Sequence, residues 1–217
     1  MAIRARNTES KSVNILRSEQ IIEDEMRTSY VTVIPYSNQW ERDFLKIKDE
    51  IKSALGELAK SIEHVGSTSV RGLSAKPVID IDVVISDSSV LSDVIAALGR
   101  IGYQHEGDLG ITGREAFRYD GKDHLQKHHL YVCPEDLPEL RRHIAFRDYL
   151  RSHPEAAAEY SRIKEEGAAL YPEDIDRYIE YKTPFILNQA RRPMTSVVGG
   201  APDSFHVFCI FPVSETL

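Results

Sequence analysis

Two aspartates separated by one residue carry the clearest potential for chemistry in this sequence. Asp80 and Asp82 lie within an otherwise apolar stretch, Val78 to Ile85. Because the side chains of a β-strand alternate between its two faces, both carboxylates lie on one face, with Cα atoms roughly 6.5 to 7 Å apart. A divalent cation relieves the repulsion between them, and Mg²⁺ prefers one or two carboxylates together with water and phosphate oxygens. The pair suggests a Mg²⁺ site, although a strand that faces water has the same alternation.

A glycine and a serine upstream suggest a site for an anion. Gly66 and Ser67 follow a predicted strand over residues 62–65. A residue without Cβ lets backbone N–H groups approach a phosphate, and the serine hydroxyl adds a further donor. Most Gly-Ser pairs lie in ordinary turns, so this pair gains weight only together with the aspartates.

The surrounding sequence predicts strands first and helices last. Alternating and β-branched residues predict strands over residues 30–34, 62–65, 78–85, 101–105, 115–119 and 128–133. Apolar residues spaced by three and four predict helices after Asn38 and Asp87, the second closed by Gly99, and further helices after Glu135. This order is typical of an α+β fold with a mixed β-sheet flanked by helices and a helical C-terminal part.

Composition restricts the class of protein. The 217 residues are 41% hydrophobic and 28% charged, as in a globular domain. Two cysteines fit a reducing compartment, and no apolar stretch approaches the roughly 20 residues that span a bilayer. The formal charge of −7, from 27 basic and 34 acidic residues, disfavours long nucleic acids. We therefore expect a cytoplasmic protein that binds neither long nucleic acid nor membrane.

The chain divides into three predicted segments. Residues 1–28 mix acidic, basic and polar side chains without sustained periodicity, which predicts a flexible N-terminal arm. Residues 29–192 form the predicted domain. Residues 193–217 contain no lysine or arginine and are interrupted by Pro202 and Pro212. This C-terminal tail is expected to be either an additional edge strand or a disordered end.

Taken together, the glycine-serine and aspartate segments look like the signature of the nucleotidyltransferase superfamily to which DNA polymerase β belongs. More narrowly, the chain resembles the GrpB family, an uncharacterised family with a nucleotidyltransferase-like fold. The resemblance covers about residues 30 to 191 and rests on several segments. These are His64 to Ser69, Gly72 to Pro77, Asp80-Ile81-Asp82, Val33 to Trp40, Gly110 to Phe117, His128 to Val132, Phe146 to Ala156 and Tyr181 to Ile186.

The resemblance implies a minimal nucleotidyltransferase fold and a magnesium-dependent transferase. Gly66, Ser67 and Thr68 would then bind the nucleotide phosphates, and Asp80 and Asp82 would bind Mg²⁺. The implied reaction moves a nucleoside monophosphate from a nucleoside triphosphate to an unknown small-molecule or protein acceptor. A metal with oriented donors stabilises the charge that develops on the phosphoryl group and on pyrophosphate.

Four cations are candidates for the nucleotide-binding set. Lys76, Arg114 and Arg118 are placed near the triphosphate, and Lys182 resembles a recurrent lysine of the family. Arginine contacts phosphate through a planar bidentate fork, whereas lysine acts as a point charge. Each of them could equally form a surface salt bridge.

The candidate strand beside the aspartates limits the comparison with active nucleotidyltransferases. Those enzymes commonly carry a third carboxylate there, but residues 127–133 contain no Asp or Glu. His129 is the candidate replacement, as a metal ligand or a catalytic base. The family commonly has His where this chain has Tyr131, and Pro where it has Arg71. A catalytically silent nucleotide-binding or adaptor module is therefore the alternative, and a small interaction protein with a solvated aspartate pair is a third.

Overall fold

A five-stranded mixed sheet organises the protein, whose computed structural model describes residues 30–190. The strands are β1 Ser61–Val65, β2 Ile79–Ile85, β3 Tyr103–Gly107, β4 Glu115–Tyr119 and β5 His128–Pro134. The α-helices are α1 Gln39–Leu55, α2 Leu91–Arg100, α3 Pro138–Ser152, α4 Pro154–Leu170 and α5 Ile175–Ala190. The predicted arm over 1–28 and tail over 193–217 lie outside the described residues. Within the described residues, the predicted α+β fold is confirmed.

The sheet has the spatial order β1-β2-β5-β4-β3. β2 and β5 are parallel neighbours at its centre, and the other pairs are antiparallel. The register places Asp80 opposite His129, and Asp82 opposite both Glu63 and Tyr131. Because paired residues point to the same side of a sheet, one face carries a row of ionisable side chains.

The opposite face of the sheet is apolar and forms the main core. Ile79, Ile81, Val83 and Ile85 point to this side, and all are buried beneath α1 and α2. Helix α1 contributes a stripe with spacings of three and four, the pattern of an amphipathic helix: Trp40, Phe44, Ile47, Ile51 and Leu55. Removal of this apolar surface from water is the main favourable term in folding and fixes which face of β2 is left for the aspartates.

The C-terminal helices pack at the other side of the sheet. α4 and α5 form a second apolar cluster with the loop that precedes β2, through Val70 and Leu73. α3 forms a third cluster with Tyr131, Cys133 and neighbouring residues. These helices therefore cover part of the polar face and bring their own side chains towards the aspartates.

Two local predictions are wrong. Residues 30–34 do not form a strand of the sheet, because only an isolated bridge joins Ile34 to Ala75. Gly99 is not the left-handed residue after α2, since the helix continues to Arg100 and Gly102 has the positive φ of 91°. The Ile101 amide still donates to carbonyls of the last helical turn. The left-handed residue that ends the helix direction is therefore Gly102 and not Gly99.

The helices of the described residues include none long and apolar enough to cross a lipid bilayer.

Candidate functional site

A left-handed glycine brings the loop after β1 directly against the first aspartate. Gly66 has φ of 66°, and a Cβ placed on it would lie 2.0 Å from Asp80 Oδ2. No residue with a side chain fits there without displacing the carboxylate, and the backbone conformation itself favours glycine. The β1-to-β2 pairing, with Val65 opposite Asp80, sets this approach. Sequence and topology together therefore place loop backbone beside a carboxylate.

Buried side chains hold this loop in shape. His64 Nε2 and Thr68 Oγ1 share a hydrogen bond of 3.0 Å, and the His64 ring stacks on Phe44 at 4.6 Å. Burial lowers the pKa of His64 to about 4, so the ring is neutral at physiological pH. Ser69 Oγ donates to the Gly66 carbonyl at 2.6 Å and closes the turn. The loop is therefore rigidly anchored, as a preorganised binding element requires.

A small cleft opens between the loop and β2. Six of the residues singled out in the sequence meet around it or at its rim, and these are Gly66, Ser67, Thr68, Lys76, Asp80 and His129. Ala75 and Val78 supply its apolar lining. The described residues thus combine hydroxyls, a cation and a carboxylate in one concave site, a polar lining that suits a charged ligand.

Two buried lysines and one half-buried lysine lie within electrostatic range of Asp80. Lys76 precedes β2, whereas Lys164 lies on α4 and Lys182 on α5, and the latter two are each 1% exposed. Desolvation by burial lowers the pKa of all three, and that of Lys164 falls to about 7. The charge of Asp80 opposes this shift at each lysine, while Lys164 and Lys76 further lower the pKa of Lys182 by repulsion. The three amines are therefore held where the charged form is costly in solvation and is favoured by the neighbouring carboxylate.

The second aspartate has a different environment, although it lies on the same face of the same strand. Asp82 is 0% exposed, and its Oδ2 pairs with His143 Nδ1 of α3 at 2.7 Å. A longer contact of 3.4 Å joins His143 Nε2 to Glu139 Oε1. Burial lowers the pKa of His143, but the charges and hydrogen bonds of these carboxylates outweigh it and raise that pKa to about 10. A protonated imidazole therefore neutralises Asp82 inside the protein.

His129 pairs with the first aspartate at the edge of the cleft. Its Nδ1 lies 2.9 Å from Asp80 Oδ1, and the two side chains are 17% and 18% exposed. When Nδ1–H donates to the carboxylate, Nε2 keeps its lone pair as an acceptor. This carboxylate-imidazole arrangement orients a histidine for proton transfer or for metal binding.

The aspartates retain oxygens that suit one hard cation. Asp82 Oδ1 is buried and accepts no hydrogen bond from the residues that the structure describes, and Asp80 Oδ2 faces the Gly66 loop rather than His129. The described residues contain no group of three or more Asp, Glu, His or Cys arranged to hold a metal. The two carboxylates alone match the number that Mg²⁺ takes from a protein when phosphate and water complete its shell. The residues therefore fit Mg²⁺ delivered with a phosphate ligand.

Two predicted cations lie away from the cleft. Arg114 is 0% exposed and stacks on the Tyr131 ring at 4.3 Å, and none of its three nitrogens has a hydrogen-bond partner among the described residues. Arg118 lies 3.6 Å from Glu106 across the β3–β4 pair and is partly exposed. The structure does not bring either guanidinium to the rim of the cleft, whereas it brings Lys76 there and Lys182 within electrostatic range.

Two residues of this region were missed in the sequence, His143 and Lys164. Both are ionisable residues on predicted helices, where a solvent-exposed position is the ordinary expectation. A usable signal existed for His143, because Glu139, His143, Arg147 and Arg151 follow one another at intervals of four. Such spacing makes one polar helix face. Lys164 has no comparable local signal.

The mixed sheet, the glycine loop and the paired aspartates define a protein of the nucleotidyltransferase-like fold class. In agreement, the structure of the GLD-2/RNP-8 complex superposes with a TM-score of 0.50 at 11% identity, over 71% of this chain and 59% of that chain. At this identity the likeness shows the fold alone. The predicted fold is thereby confirmed.

A family model described as GrpB protein matches residues 30–192, and the chain belongs to the GrpB family. The crystal structure of conserved protein GrpB from Enterococcus faecalis superposes with a TM-score of 0.61 at 31% identity, over 73% of this chain and 99% of that one. The Bacillus subtilis protein YqkA is 35% identical over 156 residues, 72% of this chain. The match spans only 45% of YqkA, so this chain corresponds to less than half of that relative.

Proposed function

We propose that this protein binds a nucleoside triphosphate with Mg²⁺ in the cleft and transfers its nucleoside monophosphate to a small-molecule or protein acceptor. The observation that carries the proposal is the convergence of Lys76, Lys164 and Lys182 on the one carboxylate beside the Gly66 loop. The three lysines come from three separate elements, which makes a chance surface cluster a poor explanation.

The charge balance of the cleft favours a polyanionic ligand. Buried charges are costly unless partners compensate them; Asp80 favours the charged form of all three lysines, and Glu165 does so for Lys164. A triphosphate supplies several negative charges and restores the protonated state of the lysines. The loop adds backbone N–H groups and the hydroxyls of Ser67 and Thr68, which suit phosphate oxygens. The net charge of the chain does not oppose such a ligand, because the cations are concentrated locally.

The reaction would break one bond and form one bond at the α-phosphorus. An acceptor hydroxyl or amine attacks the α-phosphorus, the bond to the bridging oxygen of the β-phosphate breaks, and pyrophosphate leaves. His129 Nε2 takes the acceptor proton while Nδ1 remains bonded to Asp80. Mg²⁺ held by Asp80 and Asp82 would supply charge neutralisation for the phosphoryl oxygens. The lysines would stabilise the charge on the departing pyrophosphate.

A nucleotide-binding module without turnover is the second candidate. It is favoured by β5, which places His129 and Tyr131 beside the aspartates and carries no carboxylate between His128 and Pro134. A third carboxylate commonly completes a second metal site or deprotonates the acceptor. Binding and turnover must therefore be measured separately.

Calorimetry with α,β-methylene analogues of the four nucleoside triphosphates tests binding. We expect Mg²⁺-dependent binding of at least one analogue, and about tenfold or greater weakening in Asp80→Asn. Asp49→Asn, an exposed change on α1, is the matched control and should bind like the native protein. Absence of binding in the presence of Mg²⁺, or equal affinity in Asp80→Asn, would refute the proposed site.

Turnover is tested with α-labelled nucleoside triphosphates and a panel of hydroxyl and amine acceptors. Transfer of label with release of pyrophosphate supports the transferase, and His129→Gln should then lower kcat more than it raises KM. Nucleotide binding without label transfer for any acceptor would favour the silent module instead.

A further inference from the structure

One face of α3 is built from ionisable residues rather than apolar ones. Glu139, His143, Arg147 and Arg151 stand at intervals of four along the helix and so lie on one side of it. His143 bonds to Asp82. The helix therefore docks on the polar face of the sheet through specific hydrogen bonds, which are directional, in addition to its apolar contacts.

The two arginines of this face hold backbone carbonyls on both sides of the Gly66 loop. Arg147 Nη1 donates to the His64 carbonyl at 3.2 Å and to Glu63 at 2.9 Å. Arg151 donates through Nε and Nη2 to the Ser69 carbonyl, at 3.1 and 2.9 Å. Guanidinium groups next to an anion-binding loop are here bonded to its backbone rather than directed into the cleft.

The double hydrogen bond from Arg151 fixes one peptide plane of the loop. The Ser69 carbonyl and the Val70 N–H belong to the same planar peptide unit, and that N–H donates to the Ser67 carbonyl at 3.2 Å. Two donors on one carbonyl restrain both its position and its orientation. The turn Ser67–Ser69 is thus held from inside by its own backbone and from outside by α3.

We propose that Arg151 is a positioning residue, which presets the Gly66 loop for phosphate from a helix that contributes nothing to the lining of the cleft. The proposal rests on the proposed nucleotide site and deepens it. Arg151 touches no ligand position; it acts through the Ser69 carbonyl. Because α3 also holds Asp82 through His143, one helix positions both the phosphate loop and the second aspartate.

Two measurements on Arg151→Gln, Arg151→Lys and Arg141→Gln test this role. Arg141 is exposed on the same helix and serves as the control. Hydrogen exchange of the amides of residues 66–70 reports the loop without any ligand. Calorimetry with inorganic tripolyphosphate and Mg²⁺ reports the phosphate site without dependence on the base. Arg151 is 44% exposed, so the substitutions should leave the fold intact.

We expect Arg151→Gln to accelerate exchange in residues 66–70, to leave the α3 amides unchanged, and to weaken tripolyphosphate binding about tenfold. Arg151→Lys should recover part of both effects, and Arg141→Gln should change neither. Unchanged loop exchange in Arg151→Gln, or faster exchange with native affinity, overturns the inference. If the native protein does not bind tripolyphosphate while the loop effect is present, the proposed function fails and the positioning of the loop by Arg151 stands.

Discussion

The two aspartates of β2 share a strand face but lie in opposite kinds of surroundings. Asp80 borders an open cleft, with a glycine loop on one side and three lysines behind it. Asp82, two residues along, is sealed beneath α3 and neutralised by the protonated His143. Strand alternation gives both carboxylates the same direction, whereas the elements that cover the face decide what each of them can do.

The two aspartates differ in what compensates the charges around them. At Asp82 a histidine of the protein does so, whereas around Asp80 we expect a ligand to contribute. At Asp82 the charge of one carboxylate meets that of one imidazolium through Oδ2, while Oδ1 has no hydrogen-bond partner among the described residues. Three lysines lie within electrostatic range of Asp80, and desolvation lowers the pKa of Lys164 although the charges of Asp80 and Glu165 raise it. A strongly perturbed pKa close to a cleft marks a candidate functional group, and Lys164 is such a group. The Asp82 side is therefore expected to contribute stability, and the Asp80 side to cost it.

Removal of the histidine partner should show the largest contrast between the two aspartates. His143→Gln leaves the buried Asp82 without a compensating charge and should lower the free energy of unfolding by about 3 to 5 kcal/mol. His129→Gln removes the partner of the more exposed Asp80 and should cost about 1 kcal/mol or less. Urea denaturation of both variants measures the difference.

The double variant Asp82→Asn, His143→Gln provides the control for His143. It removes both buried charges and should recover a large part of the lost stability. Equal losses for His143→Gln and His129→Gln would show that the two aspartates are not differently dependent on their partners.

Addition of one methyl group to the loop should have the next largest effect. Gly66→Ala places a Cβ against Asp80 in a left-handed backbone and should cost about 2 to 4 kcal/mol. Gly72→Ala is the matched control, since Gly72 has φ of 83° but no atom within 4 Å of the added Cβ. It should incur only the backbone cost of about 1 kcal/mol. Chemical denaturation that found the two variants equal would argue against close packing of the loop on Asp80.

The parts of this site that follow from local spacing could be read from the sequence. The isoleucine and valine alternation assigned β2 and its two faces, and the Gly66-Ser67 pair indicated the loop. Which helix packs on each face could not be predicted from the sequence, because this depends on the tertiary arrangement of the chain. His143 and Lys164 approach the aspartates only through tertiary packing. His143 and Asp82, for example, are 61 residues apart in the sequence. The position of Arg114 could not be predicted for the same reason, since its guanidinium stacks on Tyr131 of β5.

Replacement of a buried lysine should have a smaller effect on stability, and of opposite sign. Lys164→Met removes a desolvated charge while it keeps most of the side-chain volume, and should raise the free energy of unfolding by about 1 to 2 kcal/mol. The same variant should reduce the thermal shift produced by a Mg²⁺-nucleotide analogue. Lys46→Met, an exposed change on α1, should alter neither beyond about 0.5 kcal/mol. If Lys164→Met is less stable than the native protein and shows the same thermal shift with nucleotide, Lys164 has a structural role and does not contribute to binding.

The pH dependence of stability should show the smallest effect, because His143 and the lysines near Asp80 contribute slopes of opposite sign. The folded pKa of His143 is raised to about 10 from its ordinary 6.5, so its contribution to stability is complete below pH 6.5 and is lost as pH rises towards 10. The folded pKa of Lys164 is lowered to about 7 from its ordinary 10.5, so its cost is complete below pH 7 and is relieved as pH rises towards 10.5.

Between pH 7 and 10 these two slopes have opposite signs, each at most about 1.4 kcal/mol per pH unit. The lowered pKa of Lys182 adds a slope of the same sign as that of Lys164, so the histidine contribution offsets the lysines only in part. Relative to the native protein, Lys164→Met removes one lysine slope and should lose stability as pH rises, whereas His143→Gln removes the histidine slope and should gain it. Urea denaturation at pH 7, 8 and 9 measures the three slopes. Parallel slopes in the two variants would refute the opposite charge balance of the two sides, because neither group would then titrate as its surroundings require.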